Sequence, residues 1–167
     1  QTGAALRIED NARLGSGGAG AVYAHPLDPG RCIKLYLHEG AARDHVDKLR
    51  AMLERRPANV FAVTGGEKTM QLGWPDGTVS QNGVFAGFVM PRLPVDQVWS
   101  VSQIDHPLSR RRHGVPESLR YRLTVLGNLA RVVAGLHAVG HYVIDLQPQN
   151  VLAYRWAPGQ ATPSSGF

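Results

Sequence analysis

The stretch Leu14-Gly15-Ser16-Gly17-Gly18-Ala19-Gly20-Ala21-Val22-Tyr23 reads G-x-G-x-x-G-x-V, with Gly15, Gly17, Gly20 and Val22 in the fixed places. Glycine has no Cβ, so the chain turns tightly there and backbone N–H groups can close on phosphate oxygens. Lys34 follows inside Arg31-Cys32-Ile33-Lys34-Leu35-Tyr36, and a lysine on such a strand can pair with α- and β-phosphates. In a dinucleotide-binding unit the glycines would open a helix, with an acidic residue about twenty positions on. Here Ala21-Val22-Tyr23-Ala24 leads instead into a turn at His25-Pro26-Leu27-Asp28-Pro29-Gly30 and then into Cys32–Tyr36. That is strand, turn, strand, punctuated by Pro and Gly. The P-loop ending G-K-[ST] is absent. The plainer reading of the segment is a glycine-rich surface hairpin with a solvated lysine.

Composition narrows the class. The 167 residues are about one domain's length, and 43% hydrophobic with 19% charged residues is ordinary globular material. No apolar run is long enough to cross a bilayer as a helix. The N-terminal Gln1-Thr2-Gly3-Ala4-Ala5-Leu6 lacks the charged and apolar regions of a secretory signal. The lone Cys32 excludes an internal disulfide and fits a reducing interior, so a cytoplasmic location is expected, with the thiol as packing. The formal charge of +5 is concentrated in Arg110-Arg111-Arg112-His113, with Arg120 and Arg122 nearby. Such a run suits nucleic acid or an acidic partner, but no helix-turn-helix, zinc spacing or aromatic array accompanies it. Nucleic-acid binding is therefore not expected, and a solvated loop is the plainer reading.

Along the chain, Leu6-Arg7-Ile8 alternates like a lead-in strand. Gly40 to Leu53 reads as a helix on Val46, Leu49, Met52 and Leu53, with Pro57 just beyond. It offers Asp44, Asp47 and Glu54 as partners for Lys34, of which Asp47, at mid-helix, is chosen. Asn59 to Val63 is mixed and Gly65-Gly66 is a break. Gln71 to Pro75 reads as a strand entering a turn at Asp76-Gly77. Gly83 to Met90 is a continuous apolar run expected to be a buried strand, and Pro91-Arg92-Leu93-Pro94 a connector. Val98 to Pro116 is loop-like. Leu119 to Leu136 is strongly helical, with Leu123, Leu126, Leu129, Ala130, Val133 and Leu136 or His137 on one face, stopped by Gly140. His137 and His141 are four apart, but the glycine between them and the lack of a third ligand argue against a metal. The tail Ala157 to Gly166 is low in apolar content and expected to be flexible.

Asp145-Leu146-Gln147-Pro148-Gln149-Asn150, following a long helix and a glycine, resembles the catalytic loop of the protein-kinase superfamily, H-R-D-L-x-x-x-N. The glycine loop, lysine strand, helix, strand with a Met-Pro-Arg-Leu connector and long helix fall in that family's order. The resemblance covers roughly residues 6 to 152 and looks like a divergent bacterial branch. It implies an α+β, kinase-like fold: a five-stranded antiparallel N-lobe sheet with one helix over 1–93, then the first helices of a truncated helical C-lobe over 94–167.

The resemblance also implies roles. Gly15, Ser16, Gly17, Gly18, Gly20 and Val22 would cover the phosphates of ATP, and Lys34 would pair with them. Met90 would guard the nucleotide pocket, with Arg92 and Leu93 in the hinge beside adenine. Asp145 would accept the substrate hydroxyl's proton, and Asn150 would hold Mg2+. The implied activity is ATP-dependent Ser/Thr phosphotransfer to a protein substrate, in a fragment of a larger chain or a truncated relative. The alternative is a pseudokinase acting as a nucleotide-binding module with a regulatory protein partner. The departures are plain: Val143 and Ile144 replace His and Arg, Gln147 replaces the usual lysine, and no D-F-G follows Leu152.

Overall fold

Gly18-Ala19 closes a tight hairpin in which Gly17 faces Gly20, Ser16 faces Ala21 and Gly15 faces Val22. The computed structural model describes residues 5–64, 67–115, 117–155 and 165–166. In chain order its elements are β1 (Arg13–Gly17), β2 (Gly20–Ala24), β3 (Arg31–Tyr36), α1 (Glu39–Glu54), β4 (Phe61–Thr64), β5 (Glu67–Met70), β6 (Gly77–Gln81) and β7 (Val84–Pro91). There follow β8 (Val98–Ser100), α2 (Val101–Ile104), α3 (Pro107–His113), α4 (Leu119–Ala138), β9 (Leu152–Tyr154) and β10 (Ser165–Gly166). The protein is α+β.

The chain divides into two compact units, Gln1–Arg56 with Gly73–Arg92, and Pro57–Leu72 with Leu93–Phe167. The first is an antiparallel five-stranded sheet in the order β1-β2-β3-β7-β6, with α1 packed on β3 and β7. Ile33, fully enclosed, with Ala21, Cys32, Ala42, Leu49 and Trp74, forms its buried interior. The Trp74 indole donates to the Met52 carbonyl at 3.0 Å, tying the segment before β6 to the end of α1. Asn82 (φ 53°) and Gly83 (φ 80°) make the turn between β6 and β7, the left-handed pair that a two-residue hairpin requires.

Gly20 and Gly87 lie on either side of β3. A Cβ on Gly20 would strike the Leu35 carbonyl and one on Gly87 the Lys34 carbonyl. Both glycines are therefore demanded by backbone packing around the lysine strand.

The second unit contains the β4–β5 hairpin, the sheet β10-β9-β8 and the helices α2, α3 and α4. Trp99, Ile104, Val115, Tyr121, Val125 and Ala153 form its core. Gly135 makes room on α4 for the Asn59 side chain, whose amide donates to the Val132 carbonyl at 3.3 Å. After Ala138 the chain ends α4 as glycine allows: Gly140 (φ 78°) donates to the His137 carbonyl and His141 to that of Leu136.

Several expectations need correcting. Leu6-Arg7-Ile8 is not a strand, and the first strand is the glycine segment itself. Gln71 to Asp76 is irregular; the strands there are β5 before it and β6 after it. β7 lies inside its sheet, between β3 and β6, yet only Gly87 in it is fully buried. The segment expected to be loop-like carries a strand and two short helices between Val98 and His113, because β8 finds its partner β9 more than fifty residues later. α4 buries Tyr121, Val125, Val132 and Leu136, whereas Leu123 and Leu126 face outward.

Candidate functional site

The register of the first sheet pairs Val22 with Lys34, Lys34 with Phe88 and Cys32 with Met90. Directly paired residues share a face, so Val22, Lys34 and Met90 lie on one side of the sheet. Gly15, Ser16, Gly17 and Gly18 form the exposed hairpin next in the sheet. A Cβ on Gly15, Gly17 or Gly18 would meet nothing within 4 Å, and none of the three has positive φ. Neither internal packing nor backbone conformation accounts for these glycines; they leave bare backbone facing open space.

Lys34 is half-buried, with its amine 6.0 Å from the ring centres of both Tyr36 and Phe88. Burial, and after it the Lys48 ammonium, hold its pKa below the usual lysine value. Among the described residues no carboxylate forms an ion pair with it. The chosen partner, Asp47, instead pairs with Arg50 on its own helix at 3.0 Å and is largely exposed. Asp44 is also exposed, and Glu54 ends the helix. Arg92 is exposed, and its backbone N–H donates to the Gly30 carbonyl at 2.9 Å. The two units meet in sequence between Arg92 and Leu93.

In the second unit, the Asn150 side-chain amide donates to Asp145 Oδ2 at 3.2 Å and to the Asp145 carbonyl at 3.4 Å. The expected base and the expected metal ligand are thus brought together. Both are exposed. The loop is held by its own backbone: Asn150 N–H donates to the Gln147 carbonyl, while the N–H groups of Val101 and Ser102 donate to the carbonyls of Val151 and Pro148. The loop thereby satisfies two of the otherwise orphaned donors at the start of α2. The positions where the resemblance has His and Arg are occupied without any packing role at Ile144, which is 92% exposed. Gln147 accepts a hydrogen bond from Gln149.

The arginine run lies on α3 rather than in a loop. Arg110 is buried; its guanidinium donates to the carbonyls of Ile104 (2.9 Å) and Asp105 (2.8 Å) and pairs with Glu117 at 3.3 Å. Arg111 also reaches Glu117, at 3.7 Å. One arginine of the run is therefore structural and a second is paired, which the spacing alone could not show. Among the described residues no group of three or more His, Cys, Asp or Glu side chains is arranged to hold a metal, and His137 packs its ring on Tyr142. Nor is any helix among them long and apolar enough to cross a membrane. No protein-family profile matches the sequence, and no curated protein matches it either.

Proposed function

We propose that the chain is a kinase-like module that binds ATP and transfers phosphate to a hydroxyl of a protein substrate. The observation that carries the reading is the set Gly15, Gly17 and Gly18: three glycines with no role inside the fold, on the hairpin next to the lysine strand. A protein keeps bare backbone facing open space where a ligand must approach closely. The five-stranded antiparallel sheet with one helix supports the same reading.

The residues fit the phosphates of a nucleotide: the hairpin would supply N–H donors and Lys34 a cation on the neighbouring strand. They fit Mg2+ only in part. Asn150 spends its amide N–H groups on Asp145, which leaves its carbonyl oxygen for the metal. Bound Mg2+ would neutralise phosphate charge. Asp145 has one oxygen engaged by Asn150 and the other, Oδ1, to accept the proton of the attacking hydroxyl.

A second reading, a pseudokinase that binds nucleotide without transfer, is favoured by the absence of a carboxylate partner for Lys34 among the described residues and by neutral Gln147. Thermal shift with ATP and Mg2+, followed by autophosphorylation, separates the two in the native chain, Lys34→Ala and Asp145→Ala. The first reading expects stabilisation by ATP that Lys34→Ala abolishes, and transfer that Asp145→Ala lowers by roughly 10²–10⁴-fold. Binding without Asp145-dependent transfer leaves the pseudokinase, and no binding ends both.

A further inference from the structure

The chain contains three lysines against fifteen arginines, and two of the three lie on elements that pack together, Lys34 on β3 and Lys48 on α1. α1 packs on β3 and β7, and there the His45 ring lies 4.9 Å from the Tyr36 ring, which in turn lies beside Phe85 and Phe88. The His45 ring is fixed by Nδ1 donating to the Ala41 carbonyl at 2.7 Å. Lys48 is the next residue along that flank of the helix, three positions after His45. The Lys34 amine lies 6.0 Å from the centre of the same Tyr36 ring.

The acids of α1 do not offset these charges. Glu39 pairs with Arg43 at 3.5 Å and Asp47 with Arg50 at 3.0 Å. Asp44, one turn before Lys48, is exposed and forms no ion pair among the described residues. The Lys48 ammonium lowers the proton affinity of Lys34, and two neighbouring cations without a counter-ion among the described residues cost stability unless an anion joins them.

We propose that Lys34 and Lys48 form a two-cation site, walled by Tyr36 and Phe88 and buttressed by His45, that takes a phosphate-class polyanion in place of a helix carboxylate. Lys48 is then a second phosphate-binding residue. The site rests on the phosphate-binding reading of Lys34 but not on phosphate transfer. A compact, strongly hydrated lysine charge suits a phosphate oxygen that must also leave, whereas the bidentate arginine fork holds one geometry. Binding the polyanion also draws α1 onto β3, because one cation sits on each element.

The test is isothermal titration of the full chain with ATP, inorganic tripolyphosphate and adenosine, in EDTA. The proteins are the native chain, Lys48→Gln, Lys34→Gln and Arg43→Gln, each checked for an unchanged melting profile. Arg43→Gln removes a charge elsewhere on the same helix and sets the non-specific baseline. We expect Lys48→Gln to weaken both ATP and tripolyphosphate about 5–10-fold, Lys34→Gln at least as much, and Arg43→Gln less than about twofold. ATP binding with Lys48→Gln no weaker than Arg43→Gln overturns the two-lysine site and leaves the nucleotide reading standing. Tripolyphosphate binding that depends on both lysines, without ATP binding, does the reverse. Failure of both anions to bind the native chain overturns both.

Discussion

Lys34 and Asp145 stand in opposite kinds of surroundings. Lys34 is half-buried, flanked by aromatic rings, and its proton affinity is lowered by burial and then by another cation, Lys48. Asp145 is exposed and takes its hydrogen bond from Asn150, five residues away in the same loop. The lysine's state is thus set by how a sheet and a helix pack, the carboxylate's by how a short piece of chain folds on itself. Changes to packing should therefore act on Lys34, and changes to local anchoring on Asp145.

The largest effect is expected on the Asp145 side, from a residue outside its loop. Arg110 holds the carbonyls at the end of α2, and the first N–H groups of α2 hold the loop. Arg110→Ala leaves those carbonyls and Glu117 without their partner. It should cost about 2–4 kcal/mol in urea unfolding. Arg112→Ala, an exposed neighbour in the same run, should change stability by less than about 0.5 kcal/mol. Equal effects would mean that α2 does not anchor the loop.

Next is Gly87→Val on the Lys34 side. The added side chain meets the Lys34 carbonyl, so β3 and β7 must part locally, at about 1–3 kcal/mol. Gly17→Ala faces open space and should leave unfolding within about 0.5 kcal/mol while weakening nucleotide binding. If Gly17→Ala destabilises as much as Gly87→Val, the exposed glycines have a folding role after all, and the observation behind the proposed function is lost.

What was legible in the sequence follows the same division. Asp145 and Asn150 could be singled out by the resemblance of their segment to a known loop pattern, because a loop closed within six residues is a local object. The β2–turn–β3 segment, α1 and β7 were legible because turns and apolar periodicity are local too. The Asn82-Gly83 turn is a local feature of the same kind. β8 could not be seen: three residues become a strand only when Leu152–Tyr154 pairs with them. The rotation of α4 failed for a different reason. Apolar residues surround that helix, and the side turned inward is chosen by Trp99, Val115 and Ala153 from other elements. The partner of Lys34 failed in the same way, since Asp47 lies on a flank of α1 that the helix turns to solvent.

A smaller effect comes from alkaline pH, where the buried groups of the first unit pull in opposite directions. Burial, partly countered by Arg92, pushes the Cys32 thiol from 9.0 up to about 11. The folded state keeps that proton longer than the unfolded chain does. Its contribution is full below pH 9 and is lost as pH rises toward 11. Lys34 has the reverse sign: its pKa is lowered, so its cost is full at neutral pH and fades as pH rises to 10.5. Urea unfolding of Cys32→Ala between pH 8 and 11 should therefore fall less steeply than the native chain, and Lys34→Met more steeply. Parallel curves for all three would place both groups in water.

The smallest effect sharpens the comparison most, because it separates sequence position from packing. Asp47 sits at mid-helix, where a carboxylate reaching Lys34 would be sought, yet its side chain is 86% exposed and bonded to Arg50 one turn away. A surface pair of that kind is worth about 0–1 kcal/mol. Asp47→Ala should therefore move the unfolding midpoint only slightly and leave ATP affinity within about twofold of native, less than Lys48→Gln on the same helix. A large loss of affinity in Asp47→Ala would show that α1 rotates when nucleotide binds, turning Asp47 toward β3 and displacing Lys48. Lys34 would then have the same kind of partner as Asp145, a group supplied by its own chain.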